Sequence, residues 1–362
     1  GITFIGPSPE ALRILGDKIT AREAMSRAGL PIAKGSPGSI SDPEEASQIA
    51  DEIGFPVIIK AAAGGGGIGM QVVNSADEFE SALKLCQGRA RSAFGDDRVF
   101  LEKFIEGAQH IEFQVLGDGT DAIHFGERFC SIQRRHQKIL EEGPWLSEEV
   151  RADIGSRVVE GAKAVGYKGL ATFEFLRDAQ DEFYFLEVNP RVQVEHTVTE
   201  MVTGIDLVTT QLALAQGASL TELGLAQPVT PRGQAIQVRI NAETLDASGQ
   251  PHPSTGMLSA FEPPNGPGVR VDTCGYVGYR PNPRFDSLLA KLIVHAPHGT
   301  YAQALAQTYR ALCEFRIEGL ATNRRLLQDL LCDDAVRANA VHTQFLDGKL
   351  ADLANTNGDA HP

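Results

Sequence analysis

Leu12, Leu15 and Ile19 recur at helical spacing behind Ser8, a hydroxyl cap, and Pro9, whose ring presets the first turn; Gly29 and Pro31 end the pattern. The spacing predicts a connecting helical segment within residues 1–30, and Gly1-Ile2-Thr3-Phe4-Ile5-Gly6-Pro7 reads as a strand leading into it. After a Gly/Ser/Pro stretch, a helix is predicted from Asp42 and an apolar strand from Phe55 to Lys60. Ser75-Ala76-Asp77-Glu78 has the spacing of a capping box, with Phe79, Leu83, Cys86 and Ala90 following on one helical stripe. Residues 31–103 therefore read as a small α+β lobe. Beyond them Ile111, Phe113 and Val115 alternate with His110, Glu112 and Gln114, then a Gly117-Asp118-Gly119 turn and a return strand imply an antiparallel sheet. A Gly/Pro/Asn-rich region from Pro251 to Gly278 separates this from a final helical stretch, Tyr301 to Leu331, and the short polar tail after Leu350 reads as frayed.

With 362 residues, 42% of them hydrophobic, the chain can bury one large core or two to three smaller ones. A net charge of -14 with no concentrated basic run repels phosphate backbones and excludes nucleic acid as a partner. Cys86, Cys130, Cys274, Cys313 and Cys332 are odd in number and never form CxxC, so neither a disulfide framework nor a zinc site is expected, and a reducing, cytoplasmic setting fits. No apolar stretch approaches the ~20 residues that span a bilayer, and no signal peptide precedes Gly1, so no membrane association is expected.

Two segments carry candidate chemistry. Val57-Ile58-Ile59-Lys60 runs into Ala61-Ala62-Ala63-Gly64-Gly65-Gly66-Gly67-Ile68-Gly69-Met70, and Gln71-Val72-Val73 reads as another strand. A Walker A loop or a Rossmann fingerprint opens a helix, so a loop with strands on both sides points instead to a hairpin lid that closes over phosphates with its backbone N–H groups. Lys60 beside it supplies an ammonium for their charge; a flexible hairpin tip is the plainer alternative.

Further on, Thr172 to Leu176 and Phe183 to Glu187 flank the turn residues Asp178-Ala179-Gln180-Asp181. A hairpin symmetric about Gln180 and Asp181 sets Glu174 opposite Glu187, with side chains ~5 Å apart. Two like charges so placed repel unless a hard cation joins them, and carboxylates with substrate phosphates are what Mg²⁺ takes. From Glu187 the chain alternates Glu187, Asn189, Arg191, Gln193 and Glu195 against Val188, Pro190, Val192 and Val194, the pattern of an active-site wall. On it Asn189 offers a further oxygen to the metal, Arg191 a bidentate fork for a small planar anion such as bicarbonate, and Glu195 a general base.

Together with Gly16-Asp17-Lys18, Leu101-Glu102-Lys103-Phe104-Ile105 and Cys130-Ser131-Ile132-Gln133-Arg134-Arg135-His136-Gln137-Lys138, these motifs resemble biotin carboxylase, in order, from Phe4 to roughly Leu331. The resemblance implies an α+β, ATP-grasp fold: a connecting segment (1–30), a lid lobe with the glycine loop (31–103), a larger antiparallel-sheet catalytic lobe (104–225), a biotin carboxylase C-terminal domain (226–348) and a tail (349–362). It implies that ATP meets Lys18, Lys60, Gly66, Gly67, His110, Gln133 and His136, with Glu102, Lys103, Phe104 and Ile105 at the adenine. Glu174, Glu187 and Asn189 correspond to ligands of Mg²⁺, or Mn²⁺ in its place. Bicarbonate corresponds to Lys138, Arg191, Gln193 and Val194, with Glu195 as base, Arg191 as catalytic arginine and Arg270 at the biotin ring.

The implied reaction is the ATP- and bicarbonate-dependent carboxylation of biotin through carboxyphosphate. The implied partners are a biotin carboxyl carrier and a carboxyltransferase, and a homodimer is among the implied assemblies. The sequence departs from the family at Ile68, where Lys or Arg is usual, and at Ile139-Leu140-Glu141-Glu142-Gly143-Pro144-Trp145, where an alanine-rich form is usual. Nothing represents the family's N-terminal Rossmann-like domain, and no Met-Lys-Met carrier motif is present, so a truncated and weakly active fragment is expected. A carbamoyl-phosphate synthetase-like ligase and a non-catalytic ATP-binding module are the competing readings.

Overall fold

The computed structural model describes residues 1–40, 42–63, 69–246 and 248–350. The chain divides into two compact units, each discontinuous: one of residues 1–126, 146–193 and 206–229, the other of residues 127–145, 194–205 and 230–362.

In the first unit the predicted opening helix is two helices, Pro9–Gly16 and Lys18–Arg27. Ser8 caps the first as expected, accepting the Ala11 N–H at 3.1 Å. Asp17 breaks the pattern, because its extended backbone leaves its carboxylate free to accept the Ile19 and Thr20 N–H groups and so begin a new helix at Lys18. The strand expected over residues 1–7 does not form; these residues have no ladder partner, and Ile2 is fully exposed.

The lid lobe is a three-stranded antiparallel sheet with Val57–Ala61 between Met70–Val73 and Val99–Lys103. Helices Pro43–Ile53, capped by Asp42, and Ala76–Phe94 cover it, burying Ala46, Val57, Ile59, Phe79 and Leu83 in one core. The capping box is not realised: the Ser75 side chain makes no cap bond, and Glu78 reaches past Ser75 to accept the Asn74 N–H at 3.4 Å. The strands on both sides of the glycine loop pair as expected, with Lys60 opposite Met70; Gly66, Gly67 and Ile68 lie outside the described residues.

The rest of this unit is built on antiparallel strands Gln109–Asp118, Lys168–Arg177 and Phe183–Asn189. One face carries Ile111, Phe113, Val115, Phe173 and Phe175 into a core free of solvent, with Phe113 and Phe175 packed edge to face. The opposite face, polar in sequence, is buried as well: His110, Glu112 and Gln114 are all shielded from solvent. Burying that many polar groups is costly unless they are partnered, which marks this face as a site.

The second unit contains antiparallel strands Val269–Thr273, Leu288–Ala296, Gln234–Asn241 and Gln137–Gly143, in that spatial order, and the last of these also pairs with the end of Ala122–Arg134. Helices Tyr301–Glu314 and Arg324–Cys332 bury Leu305, Leu312, Phe315 and Leu327 against Ile236, Val238 and Leu292. The helical stretch expected over 301–331 is thus interrupted. Buried Phe315 turns the backbone extended, and Arg316–Glu318 pairs with Ala260–Glu262. No helix among the described residues is long and apolar enough to cross a membrane.

Glu142 sits in this apolar core, 3% exposed, in register with Phe129 and Ile236. Burial pushes its carboxyl up to about 7, only partly opposed by Tyr301 and Trp145. The folded state therefore holds this proton more tightly than the unfolded one. The resulting stability is full below the ordinary value of 4.5 and is lost as pH rises through about 7. Glu142→Gln is expected to stabilise the protein at pH 8, by about 3 kcal/mol at most, and to be near neutral at pH 5. Thermal melts of both proteins at the two pH values check this; an equal difference at both would refute it.

Candidate active site

Glu174 lies directly opposite Glu187 on one side and Glu112 on the other, so three carboxylates form a row across three strands of the first unit. The Glu174–Glu187 pairing holds for a reason the symmetric hairpin missed. The turn-proximal pairs, such as Phe175 with Phe185, centre on Gln180, and a bulge between Glu174 and Phe175 then shifts the register by one. Around the row, Lys18 Nζ donates to Glu187 at 2.8 Å, and His110 Nε2 lies 3.0 Å from Glu174. Asn189 and Gln193 amides donate to the same Glu174 oxygen at 3.0 and 2.9 Å. The side-chain atoms of His110, Glu112 and Glu174 lie within 4.8 Å of one another. Such a density of carboxylates, with Glu112 and Glu174 buried and Glu187 half-buried, matches a hard divalent cation, so the donor set fits Mg²⁺.

The strictly alternating wall ends sooner than the sequence pattern suggests. The strand stops at Asn189, since Pro190 has no N–H to extend the ladder. Asn189 and Gln193 still converge on Glu174, whereas Arg191 stays exposed, with one N–H on Asn189 Oδ1 at 3.2 Å.

Toward the lid, buried Lys60 and Glu102 form an ion pair, and Arg22 Nε approaches Glu102 at 3.1 Å. Sequence reasoning missed Arg22, whose side chain comes from a distant helix. Gly35 makes room for this arrangement, since a Cβ there would meet the Leu101 carbonyl at 2.5 Å. Lys103 Nζ is held by the Gly54 and Phe55 carbonyls at 2.9 and 3.0 Å; the Lys103 and Phe104 N–H groups bond Lys34 and Pro56, and Ile105 is half-buried.

In the second unit Glu195, 2% exposed, accepts from Lys138 Nζ at 2.7 Å and from Arg239 Nη2 at 3.0 Å. Burial alone would raise its pKa, but Lys138, Arg239 and Arg128 together outweigh that and hold the carboxyl down to about 2. Val194 precedes it, with its carbonyl bonded by Lys291 Nζ at 3.0 Å. Gln133 donates to the Cys130 carbonyl at 2.7 Å, and Arg135 and exposed His136 turn the hairpin at φ of 50° and 64°, a conformation costly for side-chain-bearing residues. The Arg270 guanidinium is committed to Glu200 at 2.7 Å and, through two bonds, to Asp272. Arg239 escaped the sequence reading, though a signal was there: Gln237, Arg239 and Asn241 alternate with Ile236, Val238 and Ile240, the same period-two pattern as the wall after Glu187.

Residues 17–223 match the family model of the carbamoyl-phosphate synthase L chain ATP-binding domain, and residues 237–348 match that of the biotin carboxylase C-terminal domain. The biotin carboxylase of Nostoc sp. is 47% identical over 349 residues, covering 95% of this chain and 76% of that protein. The biotin carboxylase of Pseudomonas aeruginosa is 45% identical over 354 residues, covering 97% and 77%. Among solved structures, a biotin carboxylase–β,γ-ATP complex from Campylobacter jejuni superposes with a TM-score of 0.90 at 41% identity, covering 95% of this chain and 76% of that one. The biotin carboxylase domain dimer of Hydrogenobacter thermophilus 2-oxoglutarate carboxylase, with MgADP, ADP and bicarbonate, superposes with a TM-score of 0.91 at 40% identity, covering 100% and 78%.

An ATP-grasp domain joined to this C-terminal domain defines an ATP-dependent, ADP-forming ligase. The chain belongs to the biotin carboxylase family. The C-terminal match favours this reading over a carbamoyl-phosphate synthetase-like ligase, and the expected ATP-grasp fold is borne out.

Proposed function

We propose that this chain catalyses the ATP- and bicarbonate-dependent carboxylation of biotin with Glu195 as general base. The observation that carries the assignment is a buried carboxylate fixed between two cations, Lys138 and Arg239. Lys18, Lys60 and His110 bind the nucleotide in this reading, with the 102–105 segment at the adenine. Glu174, Glu187 and Asn189 hold Mg²⁺, which offsets the charge of the β- and γ-phosphates when bound. Lys138 and Arg191 attract bicarbonate, Gln193 and Val194 orient it, and Glu195 takes its proton as its oxygen attacks the γ-phosphorus. The P–O bond to ADP breaks, and carboxyphosphate is formed. Its C–O bond breaks to give carbon dioxide and phosphate; the released phosphate takes the N–H proton of the biotin ring, and the ring nitrogen adds to carbon dioxide to give carboxybiotin.

A carboxylate held near 2 is a weak base in the resting site. Bicarbonate supplies the missing drive, because a second anion beside Lys138 and Arg239 shares their charge and raises the proton affinity of Glu195. We assign the guanidinium at the biotin ring to Arg239 rather than Arg270, since Arg239 touches the base while Arg270 is engaged by Glu200 and Asp272. A biotin carboxyl carrier and a carboxyltransferase complete the cycle, and a homodimer is the assembly we favour. The test is bicarbonate-dependent ADP release stimulated by free biotin. ATP binding with no turnover under any combination of substrates would overturn the reading in favour of a non-catalytic module.

A further inference from the structure

Glu141 lies one residue before the pH-sensitive Glu142 but on the opposite, polar face of the strand, and it is 0% exposed. Both its oxygens are engaged. Arg239 Nε donates to Oε1 at 2.6 Å, with Nη2 on the same oxygen, and Gln237 Nε2 donates to Oε2 at 2.9 Å. Gln237 is itself fixed, since its carbonyl oxygen accepts from the Thr197 hydroxyl. A strand-borne carboxylate tied at both oxygens is a rigid anchor for a guanidinium.

The same guanidinium reaches Glu195, but through Nη2 alone, at 3.0 Å to Oε2, while Oε1 of Glu195 belongs to Lys138 at 2.7 Å. Two carboxylates therefore share one edge of Arg239. Freed from Glu141, the planar fork could swing to grip Glu195 with two parallel N–H bonds, the strongest carboxylate contact arginine makes. That grip would favour the ionised form of Glu195 further and weaken it as a base.

We propose that Glu141 is a positioning residue for carboxylation: it anchors Arg239 so that a single N–H reaches Glu195, leaving that carboxylate able to accept a proton. The inference rests on the reading of Glu195 as the base.

In the purified enzyme, Glu141→Gln should lower kcat of bicarbonate-dependent ATP hydrolysis by about 10- to 100-fold, the loss that follows from misplacing a catalytic group. KM for ATP should be unchanged, because no nucleotide contact is altered. Arg239→Met removes the group through which Glu141 acts, so adding Glu141→Gln to that variant should cause no further loss of kcat. Wild-type kcat in Glu141→Gln, or losses that multiply in the double variant, would overturn the proposal. If Glu141→Gln alone fails to fold, Arg239→Met and Arg239→Met with Glu141→Leu form the comparison, since the pair then leaves the interior together; a much lower kcat in the latter refutes the idea. Glu195→Gln separates the two readings. Full activity there sinks the base assignment itself, whereas an inactive Glu195→Gln beside a fully active Glu141→Gln sinks only this inference.

Discussion

Glu195→Gln is expected to lower bicarbonate-dependent ATP cleavage by about 10²- to 10⁴-fold, the contribution usual for a positioned general base. The amide keeps the size of the side chain and its ability to accept a hydrogen bond, but it cannot take the proton of bicarbonate. It also removes the anion between Lys138 and Arg239, and although Arg239 keeps Glu141, breaking one side of a buried charge network costs up to about 3–5 kcal/mol of stability. Melting temperature must therefore be measured alongside rate, at a temperature where the variant is folded. Burial opposes ionisation of Glu195, but Lys138, Arg239 and Arg128 hold its carboxyl down to about 2. A depressed carboxylate lends stability above its unfolded pKa and loses it only as pH falls toward the folded value, so the pairing persists across the neutral range. Because kcat/KM reports the free enzyme, its profile from about pH 5 to 8 should carry no acid limb from this residue. Near-wild-type turnover in a folded Glu195→Gln protein would rule out the role.

What the sequence revealed about this site follows from how far apart the cooperating residues lie. Glu174 and Glu187 belong to one hairpin, so turn length and period-two alternation sufficed to bring them face to face, even though the bulge that completes the register was not foreseen. Asn189 and Gln193 were legible for the same reason. Arg239 and Glu141 were not. Each sits on its own strand, nearly a hundred residues apart, and only the ladder that sets Leu140 against Val238 brings them together. Arg22 on Glu102 is missed likewise. Elements failed where one residue overrode a periodic pattern: Asp17 by capping a second helix, Pro190 by ending a ladder, and Phe315 by turning into the core. The lid helix was read correctly from its apolar stripe, yet its cap bond was assigned to the wrong partner, because hydrogen-bond geometry at a helix start varies with the preceding backbone.

The second large effect is expected at the carboxylate row. Glu174→Gln and Glu187→Gln should each lower kcat/KM for Mg-ATP by about 10²-fold, equivalent to about 3 kcal/mol of the charge stabilisation a bound metal supplies. Neither loss is explained by the fold alone. Glu174 stands between Glu112 and Glu187 in the row, and removing one of several adjacent like charges relieves repulsion in the metal-free protein. The relief offsets the weakened contact with His110 at Glu174 or with Lys18 at Glu187, and the amide oxygen still accepts the Asn189 and Gln193 bonds that share one Glu174 oxygen, so the metal-free variants should melt close to wild type. The diagnostic quantity is the rise in melting temperature on adding Mg-ATP, since a ligand stabilises the folded state in proportion to the logarithm of its concentration over Kd. Wild type should show a clear rise, and each variant a rise that returns only at much higher Mg²⁺. Because both carboxylates serve one cation, the double variant should lose less than the product of the single losses. A Mg-ATP-induced rise in both single variants equal to that of wild type would mean that the row holds no metal.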